Sequence, residues 1–297
     1  MFEAILRKHF AKNVIFALFL IAAAKQFVGM FSFSADGSGI SFDVQFNIGA
    51  IVIAIISGML YFGSKDGKSP SSALKGYVIY SRIVGVLLIL AAVFMGLALM
   101  FLPMLLSFLK SQEVQPDEST QLILNVFNDF LVPLMAVLGA FVVLYLVAGV
   151  LTLTGISKTT ADFRDALMGI PPCGAGVGAL ISAAVLFVLS TLVSLATSIA
   201  FIPFANELFK ALEDYMATLG GAVSGEATEL VYSSGNAMLS ALDTVLGIAL
   251  YCLVIASLAV YKKALLEYRD AVLNTPPQGG TESLSSEPAN DTGTGAT

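Results

Sequence analysis

Apolar residues in this chain are gathered into six long runs, and almost every charged residue lies at the ends of those runs. A helix that crosses the hydrocarbon core of a bilayer needs ~20 mostly apolar residues, and the runs are close to that length. Backbone polar groups inside hydrocarbon must bond within the protein, so each run is predicted to be a helix. The pattern therefore predicts an all-α integral membrane protein with six spans, at residues 13–33, 46–62, 77–102, 131–154, 177–202 and 241–261.

The composition indicates that the protein lies in a lipid bilayer, which is its first predicted partner. The chain is 57% apolar and 12% charged, and a soluble domain of 297 residues could not bury that much apolar surface. The formal net charge of −6 arises mainly from segments predicted to lie outside the cell, so it gives no indication of nucleic-acid binding. Cys173 and Cys252 do not suit a disulfide, and no spacing of Cys and His predicts a metal site.

The two signs of charge are sorted onto opposite sides of the predicted membrane. The N-terminus and the segments 63–76, 155–172 and 262–297 hold eleven of the 15 Lys and Arg residues. The segments on the other side, together with Asp243, hold twelve acidic residues and only two bases. Because Lys and Arg are enriched in cytoplasmic loops, we expect both termini in the cytoplasm. The expected location is a bacterial inner (plasma) membrane.

The sequence also repeats itself at the ends of the spans. Residues 162–172 (DFRDALMGIPP) and 267–277 (EYRDAVLNTPP) are identical at five positions, and both follow a span that returns to the cytoplasm. At the other face, 101–110 (FLPMLLSFLK) and 201–210 (FIPFANELFK) share Phe, Pro and Lys at the same spacing. These matches predict three tandem, parallel helical hairpins related by an axis along the membrane normal. Chance similarity within a biased composition is the alternative.

The repeats divide the chain into a six-helix transmembrane domain, residues 1–274, and a C-terminal tail. The hairpins cover approximately 1–76, 77–170 and 171–274. Residues 275–297 are rich in Gly, Ser, Thr, Pro and acidic residues, which is typical of disorder. The tail is therefore predicted to be disordered in the cytoplasm.

The first span has a second interpretation. Basic residues at 7–12, the apolar run that follows them and the small residues 22–24 together have the features of a secretory signal peptide. Cleavage after Ala24 would leave five spans with the remaining topology unchanged. The apolar run continues from Phe27 to Phe33, which favours a retained span.

Amphipathic helices are predicted on both faces of the membrane. Residues 1–12 carry apolar side chains on one face and bases elsewhere, which suits a helix lying on the inner leaflet. His9, the single histidine, is then expected to face solvent or headgroups. Residues 204–219 have the same periodicity on the outside, where they would rest on headgroups or dock a partner.

Two further short helices are predicted in the cytoplasm, at 159–170 and 262–274. Thr159 or Thr160 is the predicted N-cap of the first. Paired prolines follow both segments and are expected to end them.

Lys25 is the only charged residue deep within a predicted span. A charge in hydrocarbon is costly, so it usually pairs or reaches an interface. Asp129 and Asp243 lie at the same outer level, and either is a candidate for an intramembrane ion pair with Lys25. The alternative is that the lysine snorkels to the outer headgroups.

Small and hydroxyl residues follow one face of the fifth span. Gly174 and Gly178 form a GxxxG pair and, with Ser182, predict a surface on which a neighbouring helix packs closely. The same stripe continues through Ser190 and Ser194. A polar wall of a solute path is the alternative interpretation.

The residues that common membrane enzymes require are missing from the sequence. It has one histidine, at the N-terminus, and neither an HExxH nor a GxSxG motif nor a pair of mid-membrane acids. We therefore expect no catalytic activity and no cofactor.

Two functions fit the sequence. The first is a non-catalytic subunit or scaffold that packs against other membrane-protein subunits or copies of itself. The alternative is a channel or facilitative transporter for a small solute, formed by the three hairpins. The scarcity of polar residues within the spans favours the scaffold, and the parallel repeats favour the transporter.

Overall fold

The computed structural model describes residues 1–36, 39–44, 47–111, 118–200 and 234–274. Those residues form α1 (Phe2–Phe10), α2 (Asn13–Gly29), β1 (Phe31–Asp36), β2 (Gly39–Val44), α3 (Ile48–Lys65), α4 (Ser71–Ser111), α5 (Glu118–Leu167), α6 (Ala175–Ala200) and α7 (Ser234–Asn274). Within these ranges, five helices are long and apolar enough to cross a membrane. A sixth is added if α1 and α2, which meet at 56°, count as one span. A helical, multi-pass membrane architecture is therefore confirmed.

The first span is shorter than predicted and is followed by a hairpin that the all-α prediction omitted. α2 ends at Gly29, and β1 pairs with β2 in antiparallel register, with Phe33 opposite Phe42. The reason lies in the local sequence, because Phe and Ser alternate from residue 31 and alternation with a period of two favours a strand. The apolar residues at 31–33 extend the hydrophobic run without extending the helix.

The prediction of separate cytoplasmic helices at 159–170 and 262–274 was wrong. α5 and α7 run through these segments without a break, because each contains good helix formers up to the glycine or prolines that end it. Thr159 and Thr160 are therefore inside a helix and do not cap one. α5 ends at Leu167 and is followed by a turn at Gly169, whose φ of 81° suits glycine, and the N–H of Ile170 donates to the Asp165 carbonyl at 2.9 Å.

The helices α2 to α7 form a closed ring in chain order. Each packs against the next one along the chain, and α7 closes the ring on α2. The contact between α3 and α4 is the least extensive in the ring. Outward-facing side chains of α4 such as Ile83, Phe94 and Met100 are apolar and exposed, as expected of a surface covered by lipid.

Two close helix contacts depend on glycines. A methyl group on Gly149 of α5 would lie 3.0 Å from the carbonyl oxygen of Gly85 in α4. One on Gly176 of α6 would lie 2.4 Å from the backbone nitrogen of Thr159 and 2.7 Å from the Gly155 carbonyl oxygen in α5. These glycines allow the backbones to approach more closely than any side chain would permit.

The predicted packing face of Gly174, Gly178 and Ser182 is not where α5 and α6 meet. A methyl group on Gly178 would find no neighbouring atom of the described chain within 4 Å, and Ser182 is exposed. Gly174 precedes α6 and has a φ of 71°. α6 turns its other face to α5, so the glycine in the contact is Gly176, two residues from each member of the GxxxG pair.

The N-terminal helix packs against the protein and not against lipid, which corrects the interfacial prediction. Phe2, Leu6 and Phe10 of α1 are buried in the main hydrophobic cluster beneath α3 and α7. His9 is only 2% exposed, so the expectation that it faces solvent or headgroups was wrong. We call the end of the ring that holds α1, the 66–70 loop and the C-terminal turns of α5 and α7 the basic end.

Three sequence-based predictions lie outside the described residues. They are the outer helix at 204–219, the tail at 275–297 and the side chain of Asp129.

Candidate functional site

The helices of the ring line a partly open cavity of about 550 Å³. Side chains from all six ring helices line it, and Phe10 of α1 contributes from the basic end. Ligand sites in proteins commonly have volumes of roughly 300–1,000 Å³ and mostly apolar walls with a few placed polar groups. The central cavity is therefore large enough to hold a small molecule.

Many of the cavity-facing positions follow helical spacing. On α4 they include Tyr77, Ser81 and Val84, which are separated by four and three residues. On α5 the same spacing separates Thr152, Ile156, Thr159 and Phe163. On α6 the lining begins at Leu180, Ala183 and Ala184. One face of α5 and one face of α6 thus contribute to the wall, whereas on α4 the lining residues from Tyr77 to Ser81 are consecutive and cover more than one face.

Most serine and threonine hydroxyls in this wall hydrogen-bond to their own helix. Thr152 donates to the Ala148 carbonyl at 2.7 Å, Thr160 to the Ile156 carbonyl at 2.7 Å, and Ser57 to the Ile53 carbonyl at 2.6 Å. Such bonds satisfy the hydroxyl proton inside hydrocarbon.

Thr159 is different. Its side-chain oxygen is buried and has no hydrogen-bond partner among the described residues, although the residue lines the cavity and is only 7% exposed. An unsatisfied buried hydroxyl costs ~1–3 kcal/mol, so it marks a position where a partner would be favourable.

A second, smaller cavity of about 250 Å³ lies farther from the basic end. Hydroxyl groups dominate its wall, which consists of Leu88, Tyr145, Phe187, Ser190, Thr191, Ser194 and Tyr251. Ser190 and Ser194 belong to the C-terminal part of the stripe of small and hydroxyl residues noted on the fifth span. Both serines therefore lie on a cavity wall.

Phe187 and Tyr251 belong to both cavities. Their rings stack with centroids 5.2 Å apart and planes 6° from parallel. Leu88 continues the cavity-facing stripe of α4 one turn beyond Val84, and Ser194 continues that of α6 beyond Phe187. The two cavities are consequently in line along the ring, with this aromatic pair between them.

Charged residues are confined to one end of the combined path. Among the described residues, the linings of both cavities include only two, Lys75 and Arg164, and both are exposed at the basic end. The Arg164 guanidinium lies 3.8 Å from the Asp165 carboxylate with its side chain 73% exposed, so it is largely hydrated. From these residues to Ser194 the described lining is uncharged.

The basic end is closed by polar contacts between α1 and α7. The Glu267 carboxylate accepts from Lys8 at 3.0 Å and contacts the His9 ring nitrogen Nε2 at 2.6 Å. Lys12 lies 3.1 Å from His9 Nδ1 and can only donate, so Nδ1 accepts and Nε2–H donates to Glu267. Hydrogen bonds from His9 and then Lys8 lower the pKa of Glu267 to about 2.

Aromatic contacts and a buried acid complete the basic end. The Phe2 ring packs against Phe163 at 5.7 Å and Tyr268 at 4.9 Å, two residues that occupy the same position of the sequence match. The Tyr268 hydroxyl donates to the Ala166 carbonyl at 2.8 Å. Asp162 is buried and accepts from two backbone N–H groups just before α6, at 2.9 and 3.0 Å, where the helix dipole favours a negative charge.

At the opposite end, Lys25 contacts Asp243. The Lys25 ammonium lies 2.7 Å from Asp243 Oδ1 and 3.1 Å from the Asp243 carbonyl oxygen, which ties α2 to α7. Lys25 is 12% exposed and Asp243 42%. The second sequence candidate, Asp129, has its side chain outside the described residues.

No protein-family model, curated protein or solved structure matches this chain. The functional interpretation therefore depends on its own geometry. Among the described residues, no group of three or more His, Cys, Asp or Glu side chains could hold a metal ion. Cys173 and Cys252 are both free and exposed.

Sequence reasoning missed the cavity wall. Phe163, Phe187 and Tyr251 are aromatic residues in apolar segments, where they have the appearance of ordinary packing residues. The available signal was the stripe of hydroxyls on α6, because hydroxyls on one face of a span are compatible with a cavity. Thr159 gave no signal, since its neighbour Thr160 is identical and only the structure separates their hydrogen bonding.

Proposed function

We propose that this protein is a facilitative transporter for a small, largely apolar solute, which moves along the axis of the helical ring. The observation that carries the proposal is the alignment of two cavities within the ring, with only the Phe187–Tyr251 pair shared between them. A packing scaffold has no need of an internal cavity on the common axis of its helices, because voids reduce packing energy.

The length of the path agrees with the proposal. On α5 the lining extends from Leu167 to Tyr145, which is ~33 Å at 1.5 Å per residue. On α4 it extends from Leu74 to Leu88, ~21 Å by the same rise. A hydrocarbon core is ~30 Å thick. The cavities thus cover most of the distance that a solute must cross.

The topology is part of the proposal. We propose six spans in three hairpins with both termini in the cytoplasm, so the basic end faces the cytoplasm. Asp162 and Glu267, which align in the sequence match, support the repeat because each binds the start of another hairpin. A cysteine replacing Ser69 should be protected from an impermeant thiol reagent in intact cells, and one replacing Ser119 should react. The reverse pattern would overturn the orientation.

Solute flux into vesicles tests the transport function. This assay needs no cysteine substitution. The purified protein is reconstituted into liposomes, which are then mixed with uncharged alkanediols of increasing chain length. Stopped-flow light scattering records the rate of swelling. We expect protein-containing vesicles to swell faster than protein-free vesicles, with a preference that depends on chain length.

A matched pair of variants separates the cavity from other effects. Ala184 lines the central cavity and is buried, whereas its neighbour Val185 is 49% exposed on the outer surface. Ala184→Phe should abolish the facilitated component by filling the cavity, and Val185→Phe should retain it. The scaffold interpretation predicts no facilitated flux with any variant, and that result would refute the transporter.

A further inference from the structure

The exposed part of the central cavity lies at the basic end. Among the described residues that line this cavity, four are exposed, which are Lys75 and Ile79 on α4 and Arg164 and Leu167 on α5. We call these four residues the mouth. We propose that the mouth binds the headgroup of a single-chain anionic amphiphile from the membrane, and that the cavity holds its apolar chain. This binding site does not require that a solute crosses the ring.

The two bases of the mouth lie at one level on neighbouring helices. α4 and α5 run in opposite directions, and Gly85 of α4 lies against the Leu153 side chain of α5. Ten residues closer to the basic end on each helix, the same register brings Lys75 opposite Phe163, which precedes Arg164. Both bases are therefore near the ends of apolar spans, where basic pockets between helices bind anionic headgroups.

Neither base is neutralised by a close partner in the part of the chain that the structure describes. Arg164 lies 3.8 Å from the carboxylate of Asp165, the next residue, and its side chain is 73% exposed. Among the described residues, no salt bridge involves Lys75. Two cations at one level attract a negatively charged headgroup and repel a positively charged one.

The rest of the lining suits the apolar chain of such a ligand. Apart from the two bases, the lining is aliphatic and aromatic with a few hydroxyls, and those of Ser57 and Thr152 bond to their own helices. On α4 the lining of this cavity extends from Leu74 to Val84, ~15 Å at 1.5 Å per residue. One leaflet is half of a hydrocarbon core that is ~30 Å thick. The cavity thus has the depth of one lipid chain.

The C-terminal tail is the other occupant within reach, because α7 ends at the basic end. Residues 275–297 include the acids Glu282, Glu287 and Asp291, but Leu284 is their only large apolar residue. The tail therefore has charges for the bases and no chain for the cavity, whereas a lipid has both. We expect a protein without residues 275–297 to bind the amphiphile as the full chain does. Tighter binding without the tail would show that the tail competes for the mouth, and would overturn this choice of occupant.

Binding can be measured by fluorescence because the chain contains no Trp. Phe187→Trp and Tyr251→Trp place reporters at the far end of the cavity, and Phe94→Trp places a control on the lipid-facing surface, where the residue is 68% exposed. Each protein in phosphatidylcholine nanodiscs is titrated with an alkyl phosphate brominated near its chain end, which quenches Trp on contact. The chain-matched alcohol and amine are the comparison probes. We expect saturable quenching by the phosphate at the two cavity reporters, and quenching without saturation at Phe94→Trp.

Charge removal at the mouth is the decisive change, made in the Phe187→Trp protein. Ion pairs at exposed sites contribute little, so Lys75→Gln and Arg164→Gln should each weaken phosphate binding about 2- to 5-fold and leave alcohol binding unchanged. The control combines Arg82→Gln with Lys158→Gln, which removes one Lys and one Arg from exposed positions of the same helices outside the cavity lining. It should bind the phosphate normally.

Charge reversal gives a result that a loss of folding cannot imitate. Lys75→Glu combined with Arg164→Glu should bind the amine more tightly than the phosphate, because two carboxylates then stand at the mouth. Excess inorganic phosphate should not displace the alkyl phosphate from the protein with its natural mouth, since the free ion has no chain to fill the cavity.

Each contrary outcome has a distinct meaning. Equal phosphate binding by the double Gln variant of the mouth and by its control would overturn the role of the two bases. An alcohol or amine that binds the natural mouth as tightly as the phosphate would overturn the anionic class. Displacement by inorganic phosphate at matched concentration would show a site for a free anion and overturn the lipid source. Without saturable quenching at either reporter, the inference as a whole is wrong. The swelling assay with Ala184→Phe judges transport separately.

Discussion

Single residues show how burial changes the consequence of a charge. Lys25 was recognisable in the sequence because it is the only charge deep in an apolar run, and Asp243 was one of two acids at the right level. His9 could not be interpreted in the same way. Its partner Glu267 is 258 residues away, and its burial depends on a helix whose apolar face could equally have rested on lipid.

Removing the two members of the Lys25–Asp243 pair should have unequal effects. Lys25→Met leaves a carboxylate that is already 42% exposed and can be hydrated, so we expect a loss of ~1 kcal/mol. Asp243→Ala leaves an ammonium that is 12% exposed, and we expect a loss of ~2 kcal/mol. Denaturant unfolding in detergent micelles measures both.

The double variant is the control for this pair. Lys25→Met combined with Asp243→Ala should be more stable than Asp243→Ala alone, because no unpaired charge remains. Strictly additive losses would show that the 2.7 Å contact does not couple the two residues.

At the level of helices, apolar run length predicted where the spans lie but not where the helices end. α5 and α7 continue beyond the predicted spans. The residues that follow each span include good helix formers and no proline before the helix ends. The strand after α2 could have been found from the alternation of Phe and Ser, but the hydrophobic run masked it. GxxxG spacing predicted a packing face on α6 at Gly174 and Gly178, whereas the contact of α6 with α5 is made at Gly176, since spacing alone does not specify which side meets a given neighbour.

Glycine substitutions in α6 test which face packs on α5. Gly176→Ala would place a methyl group 2.4 Å from the Thr159 backbone nitrogen, and the helices would have to separate. We expect destabilisation of ~1–3 kcal/mol, as for other overpacked contacts. Gly178→Ala meets open space and should be neutral or stabilising, because alanine is the better helix former. Thermal unfolding of both variants decides, and a larger loss from Gly178→Ala would contradict the assignment.

The attachment of α1 should depend on pH through Glu267. Its folded pKa of about 2 lies below the ordinary value of 4.5, so its contribution to stability is complete above 4.5 and disappears as the pH falls towards 2. Glu267→Gln lacks this contribution at every pH. The difference in melting temperature between wild type and Glu267→Gln should therefore be largest near neutral pH and shrink below 4.5. A difference independent of pH would show that the ionised carboxylate does not hold α1.

At the scale of the whole molecule, the ring and its cavities could not be derived from the sequence. Each hairpin joins helices that are neighbours in the sequence, but the contact between α7 and α2 brings together the two ends of the chain. The cavity exists because small residues such as Ala183, Ala184 and Ser257 face the same centre from different helices. The sequence favoured a scaffold because polar residues are scarce within the spans, whereas the structure places several of their hydroxyls, such as those of Ser57 and Thr152, on the wall of the central cavity.

The central claim is that a solute crosses the ring between Phe187 and Tyr251, and swelling of vesicles containing Phe187→Ala tests it most directly. Phe94→Ala, which removes an aromatic ring from the lipid-facing surface of α4, is the matched control, and unfolding curves verify that both variants remain folded. We expect Phe187→Ala to take up alkanediols faster than wild type, because it joins the two cavities, and Phe94→Ala to match wild type. A folded Phe187→Ala protein with unchanged or slower uptake would contradict this account.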